Sequence, residues 1–190
     1  FLRTIKPDVV VGFGSYASFP TVAAATLLGY RTVIHEQNAI LGRANRFLAP
    51  RVTRIATAFE FVSNLKAKDR QKMVWTGNPL RPDIVAISNK PYPKFDQNSN
   101  INILIFGGSQ GATIFSDIVP EALLLLPQEM MIRIRVVQQC REEDVAKVQK
   151  IYREANIEAI VEPFFNDIAT HISWSHLVIC RAGASTLAEL

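Results

Sequence analysis

Cysteine is scarce in this chain: its 190 residues hold two, Cys140 and Cys180, with no metal-ligand spacing between them. That usage excludes a disulfide-stapled scaffold and points to a reducing compartment. Cys180 closes an apolar run and reads as a small core residue rather than a nucleophile. No basic segment precedes an apolar run at the start, so no signal peptide is expected. The long uncharged stretch over residues 9–30 is broken by Gly12, Gly14, Ser15, Ser18 and Pro20. Such interruptions fit strand, loop and helix better than a membrane span. Short repeats and low-complexity tracts are absent. The sequence also lacks a recognition helix, a zinc motif or an RNP signature, so no nucleic-acid partner is expected.

What is present is enough apolar content, 48%, to bury one sizeable core or two small ones. Charge is unevenly shared. Residues 1–82 carry 12 Lys/Arg against 4 Asp/Glu, whereas residues 83–190 carry 9 against 13. The basic first half would suit an anionic partner such as a membrane surface. Apolar β-type runs alternate with helical patterns. Strands are expected at 8–12, 32–35, 52–56, 72–75, 101–106, 132–137, 158–161 and 176–180. Helices are expected at 21–28, 43–48, 112–126, 142–155, 166–173 and again after 180. Residues 88–100, with Pro91, Pro93 and several Asn and Ser, read as a linker. Repeated βα units imply α/β architecture: two doubly wound parallel sheets with ligands at the carboxyl ends of the strands. The expected division is 1–87, linker 88–100, and 101–190. Both ends read as cut, as in the middle of a longer protein.

Ile103–Thr113 is the most informative segment. An apolar strand breaks into Gly107-Gly-Ser109-Gln-Gly111, and a helix follows. Unpaired N–H groups at a helix start, approached through glycines, can cradle a phosphate. No Gly-Lys-Ser/Thr follows, so this is not a P-loop. The strand at 132–137 ends in Gln138 and Gln139 rather than the acidic residue of a dinucleotide site. A helix dipole supplies only about 0.3–2 kcal/mol, while micromolar binding needs about 8 kcal/mol, so several groups must converge. Four further strand ends offer them. Gly12-Phe-Gly14-Ser15-Tyr16 is a second glycine turn or a plain connection. His35-Glu36-Gln37-Asn38 packs four polar residues where a ligand or a capping network would use them. Gly77-Asn-Pro-Leu-Arg81 ends in an arginine that could bind phosphate bidentately or simply meet solvent. Arg181-Ala-Gly-Ala184-Ser185-Thr186 precedes Glu189, so Ser185 or Thr186 could cap a helix in a capping box, or the turn could bind a diphosphate with Glu189 on ribose hydroxyls.

In order and spacing, these segments resemble the MurG family of glycosyltransferases. The resemblance covers nearly the whole chain, adding Lys6-Pro-Asp-Val-Val-Val-Gly12, Pro20, Ala39, Gly42, Asn45 and Pro163-Phe164. It implies a GT-B fold of two Rossmann-like domains, both truncated here: an acceptor- and membrane-side domain and a donor domain. It implies transfer of N-acetylglucosamine from UDP-N-acetylglucosamine to an undecaprenyl-diphosphate-linked muramyl pentapeptide in peptidoglycan synthesis, at the cytoplasmic face of the bacterial inner membrane. Donor contacts implied by position are Asn38, Arg81, Ser109, Phe165, Ala184, Ser185, Thr186, Leu187, Ala188 and Glu189. On the acceptor side stand Gly14, Ser15, Tyr16, His35, Glu36, Gln37 and Asn45. No metal or other cofactor is implied. The family's general base is expected in a glycine-rich loop before Phe1; His35 and Glu36 are candidates only if that loop does not supply it. A distal Gln-rich segment is expected beyond Leu190, so this piece alone is expected to be inactive. Departures are Gly-Ser-Tyr for Gly-Gly-Tyr, Arg-Ala-Gly for Arg-Ser-Gly, Ser185 at an apolar position, and Val-Gln-Gln-Cys for a His-Gln-Thr-Gly-like segment. The alternatives are another GT-B enzyme, such as a UDP-N-acetylglucosamine 2-epimerase, and a non-catalytic nucleotide-sugar-binding fragment.

Overall fold

The computed structural model describes residues 1–97, 99–108 and 112–190. The chain forms two compact units, Phe1–Pro79 and Leu80–Leu190.

In the first unit a short helix α1 (Leu2–Ile5) leads into β1 (Val9–Gly12), α2 (Ser15–Leu27), β2 (Arg31–Glu36), α3 (Arg43–Leu48), β3 (Arg54–Thr57), a 3₁₀ turn at Ala67–Lys72 and β4 (Met73–Trp75). The strands form one parallel sheet in the order β1-β2-β3-β4, with Gly12 opposite Ile34 and Glu36 opposite Thr57. Val22, Ile34, Leu41, Leu48, Val52 and Ile55 make its core. A Cβ on Gly12 would lie 2.6 Å from Val22 Cγ2, so only glycine lets α2 lie this close to β1. The helix expected from residue 21 begins at Ser15 and runs through Pro20. Pro20 cannot donate to the Tyr16 carbonyl, but the rest of the ladder carries the helix past it.

The second unit opens with α4 (Pro82–Ile87), followed by β5 (Ile101–Phe106), α5 (Thr113–Leu124), α6 (Gln128–Met131), β6 (Ile134–Gln139), α7 (Glu142–Glu154), β7 (Glu158–Glu162), α8 (Ile168–Trp174), β8 (Leu177–Cys180) and α9 (Ala184–Glu189). Its parallel sheet has the order β7-β6-β5-β8. Side chains alternate across β5. Ile103 and Ile105 enter a core with Val119, Leu123, Ile134, Val148 and Tyr152. Leu104 and Phe106 enter the opposite one with Ile84, Val137, Phe165 and Ile168. Two apolar faces on one strand require helices on both sides, which is why the run reads as uninterrupted hydrophobic sequence.

The division of the chain falls at Pro79/Leu80, ahead of the stretch expected to be the linker. Helix α4, expected in the first domain, instead puts Ile84 among Leu104, Phe106 and Ile168. The proline-rich stretch behind it is also tied to the second unit. The Tyr92 hydroxyl donates to the His176 carbonyl at 2.7 Å, the Arg133 guanidinium donates to the Ser99 carbonyl at 2.8 Å, and the Phe95 ring lies 5.3 Å from that of His176. Local composition marks a turn-rich segment, but aromatic and arginine contacts distant in sequence decide where it packs. Among the described residues, no helix is long and apolar enough to cross a membrane.

Candidate functional site

Each unit gathers its polar residues at the carboxyl ends of its strands. In the first, β1 ends at Gly12 and β2 at Glu36, and the loops beyond them line a cavity of about 260 Å³ with Phe13, Gly14, Ser15, Tyr16, Glu36–Asn38 and Gly42–Asn45. Gly14 and Ser15 both have positive φ, 77° and 63°; this is the turn that starts α2, and the Ser18 hydroxyl donates back to the Gly14 carbonyl. Glu36 is 3% exposed. Its Oε1 accepts from the Asn38 N–H and Asn38 Nδ2, both at 3.1 Å, while its Oε2 accepts from the Gly42 N–H at 2.8 Å and Asn45 Nδ2 at 2.9 Å. With both of its oxygens accepting from these donors, the buried Glu36 carboxylate organises the loop around it. Asn45 also donates to the His35 carbonyl at 3.1 Å. His35 Nε2 lies 3.0 Å from the Gly77 carbonyl, and Asn78 Nδ2 donates to the Gln37 carbonyl at 3.4 Å. Of the expected acceptor-side residues, Gly14, Ser15, Tyr16, Glu36, Gln37 and Asn45 line this cavity together with Asn38; His35 sits behind it, 5% exposed.

In the second unit the strand order reverses direction between β5 and β8, since the chain runs outward through β6 and β7 and returns to the other side of β5. Ligands of open α/β sheets bind at such a switch point. Here a cleft of about 350 Å³ is lined by Arg81, Phe106, Gly108, Gln139, Phe164, Phe165, Ile168, Ser185, Thr186 and Glu189. Gly108 has φ +87°, and among the described residues nothing lies within 4 Å of its Cβ position. Ser109, expected as a donor contact, lies outside the described residues together with Gln110 and Gly111. Arg81, at the start of α4, places Nε 3.3 Å from Glu189 Oε1 on α9. The expected capping box is not formed: Gly183 is the N-cap of α9 and no side chain caps it. The Glu189 carboxylate is turned to Arg81 instead, where both partners carry charge rather than one.

Phe165 lines the cleft, but its ring is core, 7% exposed and set edge-on to that of His171 with centroids 4.6 Å apart. The neighbouring Phe164 ring is the exposed one at 56%. Ala184 and Leu187 are not among the cleft-lining residues, and Ala188 lines a neighbouring groove beside Ile172 and Val178. Phe106, Gln139 and Ile168 were not anticipated as site residues. Gln139 donates from Nε2 to the Pro163 carbonyl at 3.1 Å and so fixes the loop carrying Phe164. A polar residue closing an apolar strand is the signal that could have found it. Behind it Tyr152 donates to Gln138 Oε1 at 2.6 Å in the core, and burial raises the tyrosine's pKa. The Cys140 thiol is pushed up to about 11 by burial and by the Asp144 charge. Cys180 is raised by burial as well, which removes both as thiolate nucleophiles near neutrality. Among the described residues, no group of three or more His, Cys, Asp or Glu is placed to hold a metal ion.

Parallel α/β units with polar clefts at the strand ends define a class, the doubly wound folds that take ligands at the carboxyl ends of their strands. Comparison with known proteins narrows this. The family description "Glycosyltransferase family 28 N-terminal domain" matches residues 1–57, and "Glycosyltransferase family 28 C-terminal domain" matches residues 102–190. A relative from Zymomonas mobilis is 50% identical over 188 residues, covering 99% of this chain and 49% of the relative. Another from Paramagnetospirillum magneticum is 49% identical over 189 residues, covering 100% of this chain and 51% of the relative. Both bear the name "UDP-N-acetylglucosamine--N-acetylmuramyl-(pentapeptide) pyrophosphoryl-undecaprenol N-acetylglucosamine transferase". The crystal structure of Acinetobacter baumannii MurG is 34% identical with a TM-score of 0.74, covering 98% of this chain and 50% of that one. The chain belongs to the MurG family, and it spans about half the length of the curated relatives it matches. A Listeria monocytogenes structure with a UDP-N-acetylglucosamine 2-epimerase assignment is 12% identical with a TM-score of 0.62, a likeness of fold alone. The epimerase alternative is therefore not favoured.

Proposed function

We propose that the whole protein transfers N-acetylglucosamine from UDP-N-acetylglucosamine to the undecaprenyl-diphosphate-linked muramyl pentapeptide. The observation that carries this reading is the cleft at the β5/β8 switch point, where Arg81 faces Glu189 beside the exposed Phe164 ring. That set offers a guanidinium for phosphate, a carboxylate for ribose hydroxyls and an apolar surface for a base. Donor contacts would come from Arg81, Ser109, Ser185, Thr186 and Glu189, and from the backbone around Phe165, whose ring is committed to the core. The cavity at Gly14–Tyr16 and Glu36–Asn45 would face the lipid-linked acceptor.

In the reaction, an acceptor hydroxyl oxygen forms a bond to the anomeric carbon as the bond to UDP breaks. UDP leaves with the electron pair, and the hydroxyl proton passes to a base. Arg81 and backbone N–H groups would offset the charge gathering on the departing diphosphate. Glu36, with each of its oxygens already accepting from loop donors, organises this machinery rather than taking the proton. The cytoplasmic face of the bacterial inner membrane is the proposed location. The basic excess of residues 1–82 supports it.

Calorimetric titration of the full-length protein with UDP-N-acetylglucosamine tests the donor site. Arg81→Ala should weaken binding about tenfold, the loss of one charge-assisted interaction. Unchanged affinity would remove Arg81 from the site.

A further inference from the structure

His35 ends β2 at the acceptor-side cavity, and its chemistry invites the role of general base. Its surroundings give it different work. Three parts of the first unit meet on this residue. Its Nε2 lies 3.0 Å from the Gly77 carbonyl. A carbonyl only accepts, so Nε2 carries the hydrogen and donates it. Its own carbonyl accepts from Asn45 Nδ2 at 3.1 Å. Its ring packs on that of Phe13 with centroids 5.5 Å apart. Nδ1, the nitrogen a base would use, is buried with no partner among the described residues. The residue as a whole is 5% exposed and is not among those lining the cavity.

We infer that His35 is a positioning residue: its imidazole joins the turn carrying Phe13 to the Gly77 turn, and its main-chain carbonyl holds the Asn45 side chain, at the end of the first unit. The fold explains why a histidine stands here. Gly77 has φ +74° and follows β4, two strands away from β2; its carbonyl accepts from the exposed Thr76 hydroxyl at 3.2 Å, and only a donor that reaches across β3 at the sheet's carboxyl edge ties it to β2 as well. An aliphatic side chain has no donor. A lysine or arginine would bring a charge into a closed site without a carboxylate of its own, since Glu36 is already occupied by amide donors. An imidazole supplies the hydrogen and a flat face for Phe13 together.

The inference rests on the proposed transferase activity, and its test separates the two. Full-length wild-type protein is assayed first with UDP-N-acetylglucosamine and a lipid-linked acceptor; if the wild type transfers no sugar, the functional reading itself fails. With an active wild type, His35→Ala and His35→Gln are compared. Glutamine carries an N–H at similar reach but cannot serve as a base. His35→Ala should raise the acceptor KM about tenfold, the size of one lost buried hydrogen bond, with kcat and the donor KM close to wild type. His35→Gln should restore most of the acceptor KM and leave the shape of the pH–rate profile unchanged. Equal loss of kcat in both variants, or loss of one limb of the pH profile in His35→Gln, would make His35 the base and overturn the inference. So would wild-type kinetic constants in His35→Ala accompanied only by a lower Tm.

Discussion

Glu36 and Cys140 are both buried, in very different company. Glu36 is as closed to water as a core residue, yet amide donors from Asn38, Gly42 and Asn45 surround it. Cys140 is fully buried, and burial together with Asp144 drives its pKa to about 11 from the ordinary 9.0. Its sign is fixed by linkage. The folded state holds the thiol proton more tightly than the unfolded chain does, so the contribution is complete below pH 9 and is lost as pH rises towards 11. A two-unit shift corresponds to at most about 2.7 kcal/mol. Urea unfolding of wild type and Cys140→Ala between pH 7 and 11 should show the gap between them closing above pH 9, in the direction of a relatively less stable wild type. A gap independent of pH would mean that the thiol titrates normally in the fold. Residue-scale reading from sequence reached the polar strand ends correctly as places, but not what each side chain does there. That His35 donates to Gly77, and that Phe165 turns inward while Phe164 turns outward, depend on partners dozens of residues away or on the next strand's register.

At the scale of elements, the pattern of apolar runs was legible because parallel strands buried on both faces are continuous hydrophobic segments. Helix α3 and strand β5 fall where periodicity puts them, at Arg43–Leu48 and Ile101–Phe106. The differences have physical causes. α2 starts six residues before its expected first residue, because the positive-φ pair Gly14–Ser15 opens the helix ahead of Pro20. α4 is too short for periodicity and is held by Ile84 in the core of the second unit. The β1–α2 contact supplies the prediction at this scale. Gly12→Ala would force its methyl to within 2.6 Å of Val22 Cγ2, and overpacking of this kind costs about 1–3 kcal/mol. Combined with Val22→Ala, the loss should be smaller than the sum of the single losses, because the second change makes room for the first. Strictly additive losses in chemical unfolding would contradict the close approach.

At the largest scale the chain forms two parallel α/β units, each with its polar loops at the strand ends, and the sequence order of those loops identifies the family better than any one of them. Single glycine turns are common; their ordered set is not. The charge division follows the same boundary closely, with the basic excess in the unit proposed to meet lipid and the acidic excess in the unit proposed to bind the nucleotide sugar. The most direct test is sugar transfer by the full-length protein from radiolabelled UDP-N-acetylglucosamine to an undecaprenyl-diphosphate-linked muramyl pentapeptide, followed by extraction of the lipid product. The account predicts label in the lipid fraction that depends on the acceptor and is strongly reduced by Arg81→Ala. Tight donor binding with no label in the lipid at any acceptor concentration would contradict it.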